Sequence, residues 1–230
     1  MQQFQYDIKC DTLSPEQEFY KESYVLLEGA IIEVISRLDI IRKYKETQEY
    51  EDQDPIEHCK ARIKSAKSMK EKLKRKNLPV TAKSALSEIH DAAGIRVVCT
   101  FLDDIYWIVN MLKNQKDIEV VNEKDYIKNP KPNGYRSYHM ILKVPIHLEN
   151  RIEMVYCELQ IRTIAMDCWA SLEHQLKYKK NIQREKMIAG ELKRCSDEIA
   201  STDLNFQTIH DMIRETKGRD EEYKDENFTC

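Results

Sequence analysis

The chain has 230 residues, 41% hydrophobic and 33% charged, enough apolar material for one folded domain with appendages. A mean hydropathy of −0.66, with no run near the ~20 apolar residues a span needs, excludes an integral helical membrane protein. The net charge of −3 excludes a generic polyanion binder, yet residues 60 to 76 hold nine Lys/Arg against one Glu.

The first residues, MQQFQYDIKCDTLS, show no basic segment followed by an apolar run, so no signal peptide is read. The seven cysteines are odd in number and form no CxxC, which argues against a disulfide framework or zinc knuckle and for a reducing, cytoplasmic location. Residues 1–13 read as an arm. Ser14-Pro15-Glu16-Gln17 is a capping box with proline at the first helical position. Tyr20, Tyr24, Leu27, Ile31, Val34, Leu38 and Ile41 then follow at helical spacing. They predict one long amphipathic helix to about Lys45, within a 14–50 unit for core packing or self-association. An acidic linker covers 51–57. A second helix is expected from about Ile63 to Lys76, and a short one from Ala82 to Ile89.

The middle is strand-rich. Ile95 to Phe101 reads as a strand, Asp103 to Gln115 as a helix with Ile105, Ile108, Val109 and Leu112 inward, and Ile118 to Val121 as a strand. Tyr135 to Val144 and Ile152 to Ile161 read as a hairpin. Thr163 opens a helix through Trp169, Leu172 and Leu176. A charged helix spans 181–214, and 215–230 is expected to be disordered. Together these predict an α+β fold, a mixed sheet of about five strands flanked by helices.

Three constellations suggest chemistry. At about 100° per residue, Lys64, Ser68, Lys72 and Arg75 fall within roughly 80° of one helix face, opposite Ile63, Ala66, Met69 and Leu73. A row of cations suits a polyphosphate; a solvated face or an RNA backbone site is the plainer alternative. Arg62 is placed at the start of that helix. Asp91 stands just before a buried strand, with Gly94 expected to turn the backbone sharply. Such an acid either holds Mg²⁺ or closes a turn. In the segment 155–162, Val155, Cys157, Leu159 and Ile161 alternate inward while Tyr156, Glu158, Gln160 and Arg162 face the other way. Glu158 is then the candidate partner of Asp91 across a divalent ion. Finally, Asn133-Gly134 marks a tight turn into a strand on which Tyr135, Ser137 and His139 share a face. There Tyr135 either packs or stacks a base, with Lys124 and Lys131 near its phosphates.

Four ordered segments, RIKSAKSMKEKLKRK, HDAAGIRVVCTF, KDYIKNPKPNGYRSYH and CELQIRTIAMDCWASLEHQLKYK, resemble the synthetase domain of the RelA/SpoT alarmone enzymes. The similarity covers about His58 to Lys180 and is nearest to the small, synthetase-only class, which places a catalytic domain at 51–180. The resemblance implies a nucleotidyltransferase-like fold. It also implies Mg²⁺-dependent pyrophosphate transfer from ATP to the 3′-hydroxyl of GDP or GTP, giving ppGpp or pppGpp and AMP. By motif position Arg62, Lys64, Ser68, Lys72, Arg75 and Arg96 would bind ATP, and Asp91 and Glu158 would hold Mg²⁺, with Glu158 also the general base. Tyr135 would stack guanine, with Lys124, Lys131, His139 and Gln160 completing the acceptor site. A homotetramer is implied, as is single-stranded RNA as a further partner. Asp167 departs from the Asn of some relatives. His58-Cys59-Lys60-Ala61 lacks the Phe and Thr of product-activated ones. A plain RNA-binding module would leave the two acids without use, and an oligomer built only on the Tyr20–Ile41 stripe would leave the strand-borne polar face unexplained.

Overall fold

The computed structural model describes residues 13–48, 54–177 and 185–226. Most of the N-terminal arm, the first part of the acidic linker, the segment 178–184 and the last four residues lie outside the described residues.

In chain order the elements are α1 (Pro15–Tyr20), α2 (Glu22–Gln48), β1 (Ile56–Ile63), α3 (Ala66–Arg75), α4 (Ala82–Glu88) and β2 (Ala93–Cys99). They continue with α5 (Leu102–Lys113), β3 (Glu119–Asp125), β4 (Tyr138–His147), β5 (Ile152–Thr163), α6 (Ile164–Lys177) and α7 (Glu185–Glu226). The five strands form one mixed sheet in the order β1-β2-β5-β4-β3. Only β2 and β5 run parallel; the other pairs are antiparallel. The expected α+β architecture is therefore the one observed. Among the described residues no helix is long and apolar enough to cross a membrane.

Strict alternation builds the central strands. Ile95, Val97 and Cys99 of β2, Met140, Leu142 and Val144 of β4, and Val155, Cys157, Leu159 and Ile161 of β5 are all buried. Against that face pack Leu27, Ala30, Ile31, Val34 and Leu38 of α2 and Ile105, Ile108, Val109 and Leu112 of α5, the inward residues expected from spacing. Alternate residues of the same strands are left on the opposite, polar face.

Four expectations need correction. The long N-terminal helix is two helices, because Lys21 takes φ 52° and breaks the hydrogen-bond ladder after Tyr20. Residues 56–63 are a strand, not linker and helix; α3 begins only at Ala66, with Ser65 as its N-cap. Only Ile56 of β1 is buried, so the strand has no alternation of its own to read. It is held by its ladder with β2 and shows the charges typical of a sheet edge. Gly94 is not a turn but lies within β2, opposite both Arg62 and Glu158. Lastly, α7 continues to Glu226, past Arg214, where the sequence pattern places the start of a disordered tail.

Candidate active site

The register of the sheet assembles the site. Lys60 of β1 lies opposite Arg96 of β2, Arg96 opposite Gln160 of β5, Gln160 opposite His139 of β4, and His139 opposite Lys124 of β3. Residues directly opposite share a face. One row of polar side chains thus crosses all five strands, four gaps of about 4.8 Å or roughly 19 Å. The adjacent row holds Arg62, Gly94 and Glu158. These residues line a cavity of about 200 Å³ between β1, β2 and β5. Gly94 keeps its centre open: a side chain there would stand over the floor between Arg62 and Glu158.

Asp91 sits at the entrance to β2, three residues before Gly94. Its Oδ2 accepts from Lys64 and pairs with Lys72, both at 2.7 Å. Lys64 is not helical; its N–H donates to the Ala92 carbonyl, extending the β1–β2 ladder. The β1–α3 junction therefore delivers Lys64, and the second turn of α3 delivers Lys72, to one carboxylate. Burial raises the Asp91 pKa, but the two ammonium groups outweigh it and the net shift is downward. Oδ1 of Asp91 is buried with no hydrogen-bond partner. Ser68 and Arg75 stay exposed on α3, on the side expected, and are not drawn into this cluster.

On β5, Glu158 accepts from Gln160 Nε2 at 2.9 Å and approaches His139 Nδ1 at 3.7 Å. His139 Nε2 meets the Tyr135 hydroxyl at 2.8 Å. The same hydroxyl accepts from Arg162 at 2.7 Å, and Arg162 pairs with Asp167 at 2.9 Å. Asp167 also holds Arg96 at 3.3 Å. An unbroken polar chain thus joins the cation end of the row to the aromatic end. The Tyr135 ring lies under the Lys131 ammonium at 4.7 Å and against Arg162 at 5.0 Å, with Tyr126 edge-on. Ser137 does not share this face: it is fully buried and donates to the Ile161 carbonyl.

Lys60 and Tyr126 are additions to the site expected from the sequence, while Arg162 lies on the polar face expected for it and Asp167 joins the site by pairing with Arg96 and Arg162. Lys60 and Arg62 are two apart, so the alternation that would have paired them was available once residues 56–63 were taken as a strand. Arg162 was read on the correct face; its 4% exposure comes from Asp167 on the next helix, which strand alternation does not reveal.

Burial, reinforced by the Lys131, Arg162 and Lys124 charges, lowers the His139 pKa from 6.5 to about 3. Folding then opposes protonation. The stability it contributes is full above about pH 6.5 and declines as pH falls toward 3, by at most about 1.4 kcal/mol per pH unit. Urea midpoints measured in EDTA between pH 7 and 4.5 should fall for the parent chain and fall less steeply for His139→Gln. Equal slopes would show that His139 protonates freely in the fold.

A family profile described as "Region found in RelA / SpoT proteins" matches residues 61–183. GTP pyrophosphokinase YwaC of Bacillus subtilis is 44% identical over 190 residues, 81% of this chain and 88% of that protein. The chain belongs to the RelA/SpoT family. The fold agrees with the crystal structure of small alarmone synthetase 2 from Bacillus subtilis, with TM-score 0.74, 40% identity and coverage of 84% of this chain and 98% of that one. Small alarmone synthetase 1 of the same organism, solved with its product pppGpp, gives TM-score 0.74 at 33% identity, covering 86% and 98%. The RelA/SpoT region takes in Arg62 through Asp167 and stops before α7.

Proposed function

We propose that this RelA/SpoT protein transfers the β,γ-pyrophosphate of ATP to the 3′-hydroxyl of GDP or GTP, giving ppGpp or pppGpp and releasing AMP. The observation that carries this reading is the polar row from Lys60 to Lys124. It has Lys60 and Arg96 at one end and His139 and Lys124 at the other, with the Tyr135 hydroxyl bonded to His139 and Glu158 in the adjacent row beside Gln160. A row of roughly 19 Å accommodates two nucleotides meeting end to end, as attack at the β-phosphorus requires.

At the cationic end Arg62, Lys64, Ser68, Lys72, Arg75 and Arg96 bind ATP. Lys64 and Lys72, already gathered on Asp91, turn to the triphosphate. At the other end Tyr135 stacks guanine once the exposed Lys131 swings off its ring and toward the phosphates. His139, Gln160 and Lys124 line the rest of the acceptor site. Glu158 takes the proton of the 3′-hydroxyl as the new O–Pβ bond forms and the Pα–O–Pβ bridge breaks toward AMP. Arg62 and Arg96 stabilise charge on the departing AMP and the transferred group.

Asp91 and Glu158 suit Mg²⁺, which usually takes one or two carboxylates and completes its shell with phosphates and water. The buried, unpartnered Oδ1 of Asp91 is an oxygen of that kind. No group of three or more His, Cys, Asp or Glu is gathered among the described residues, as a cage made wholly of protein ligands would need. Mg²⁺ bound there would neutralise the ATP phosphates. The protein is read as cytoplasmic. Exposed Val25, Ile32 and Ile40 on α2 and Phe206, Ile209 and Met212 on α7 support a homo-oligomer, a tetramer by family resemblance. The solvated side of α3 is where single-stranded RNA would bind.

The test is direct: purified protein, Mg²⁺, labelled ATP and GDP or GTP, resolved by thin-layer chromatography. Label must move into a guanosine tetra- or pentaphosphate; its absence with both acceptors rejects the function. Tyr135→Ala should raise the guanine-nucleotide KM about 5- to 160-fold and leave the ATP KM nearly unchanged, since a stacked base is worth about 1–3 kcal/mol. A rise in the ATP KM instead would place Tyr135 at the donor site.

A further inference from the structure

Three of the buried polar residues, Ser196, Asp203 and Gln207, lie on α7, outside the region that defines the family. Their spacing of seven and four places them within about 40° of one helix face. Each grips a different part of the sheet's surroundings: the turn before β4, the end of β5 and the first turn of α5. Ser196 Oγ donates to the Gly134 carbonyl at 2.5 Å and accepts from Arg136 at 2.7 Å, while Asp197 takes the other end of Arg136 at 3.1 Å. Asp203 accepts from Thr163, the residue after Arg162, at 2.5 Å. Gln207 accepts from the Asp103 N–H at 3.1 Å and donates to its carboxylate. Trp169 of α6 donates to the Leu192 carbonyl at 2.9 Å.

The grip on the acceptor turn is close. Gly134 has φ +91°, and a β-carbon added there would lie 2.7 Å from Ser196 Cβ and 3.4 Å from Lys193 Cα. Only glycine lets the turn lie this near the helix. Gly134 and Arg136 are the two neighbours of Tyr135, and α7 holds both.

We infer that α7 is a strap for the acceptor site: Ser196 and Asp197 are positioning residues that fix the turn 134–136 and, through it, the aim of Tyr135 at the guanine base. This rests on the guanine-nucleotide reading of that site. The strap lets a helix with no group in the polar row set acceptor affinity without touching the donor end.

The test uses the full chain. Ser196→Ala should weaken binding of mant-GDP, read without turnover, and raise the GDP and GTP KM about tenfold. That is about 1.4 kcal/mol, the scale of one hydrogen bond. The ATP KM should stay within twofold, and tryptophan emission should not move, since Trp169 stays docked on α7. Asp197→Asn, at a half-exposed position that folding tolerates, should weaken mant-GDP binding about threefold and serves if Ser196→Ala does not fold. Unchanged mant-GDP affinity overturns the strap. So does a parallel rise in the ATP KM, or a red shift in tryptophan emission tracking the loss, because either marks general loosening. Synthesis by the parent chain is scored separately: mant-GDP binding without synthesis would sink the proposed reaction and leave the strap standing. A parent chain that binds no mant-GDP would remove the acceptor site and the strap together.

Discussion

Glu158→Gln is expected to slow pyrophosphate transfer by about 10²- to 10⁴-fold, the usual loss when a positioned general base is removed. The substitution is isosteric. Its amide oxygen still accepts from Gln160, and the packing of Cys157 and Leu159 on the other face is untouched. Stability should change by no more than about 1 kcal/mol, which moves the thermal midpoint by roughly 2–4 °C in a chain of this size. The rate is best read in a single turnover with enzyme in excess, so that product release does not mask chemistry. Both nucleotide affinities should stay near those of the parent, because the loss belongs to the transition state. A single-turnover rate near the parent's would remove Glu158 from the reaction and leave the row without a base.

Asp91→Asn should lower the rate by at least about 10²-fold, for a different reason. Two lysines share Oδ2 of Asp91, and Oδ1 is buried and unpartnered. An amide accepts from one lysine only weakly and offers no anion to a divalent ion. Two consequences can be separated by titration. If Asp91 holds Mg²⁺, the magnesium concentration needed for half-maximal rate should rise severalfold. If it only steers Lys64 and Lys72, the ATP KM should rise while the magnesium requirement stays fixed. Unchanged rate and unchanged magnesium dependence would dismiss both roles. The three side chains are each only about one-fifth exposed, so the substitution leaves two largely buried ammonium groups with a weaker partner, and the thermal midpoint is to be measured beside the rate.

Much of this was legible in the sequence because the signals are local. The alternation of Val155 through Arg162 sorted core from polar face residue by residue, and the helical spacing of Ile105, Ile108, Val109 and Leu112 named an inward stripe that is buried. Lys64 and Lys72 were grouped correctly for the wrong reason. Helical spacing makes them neighbours on one helix, whereas a strand end and a helix bring them to the same carboxylate. The helix reading of residues 63–65 failed because an edge strand needs only one partner and carries charges that mimic a solvated helix face.

Spacings of two to four residues along the chain are enough to separate most of the core of β5 and α5 from the polar face that carries Glu158 and Gln160. That Lys60, Arg96, Gln160, His139 and Lys124 form one line across five strands follows only from the folded sheet, because register depends on hydrogen bonds between segments as far apart as Arg96 and Gln160. The tertiary structure alone decided that α7 clamps the turn bearing Tyr135. That contact joins Ser196 to Gly134 through a shape fit between a glycine and a serine, and neither residue announces its partner along the chain.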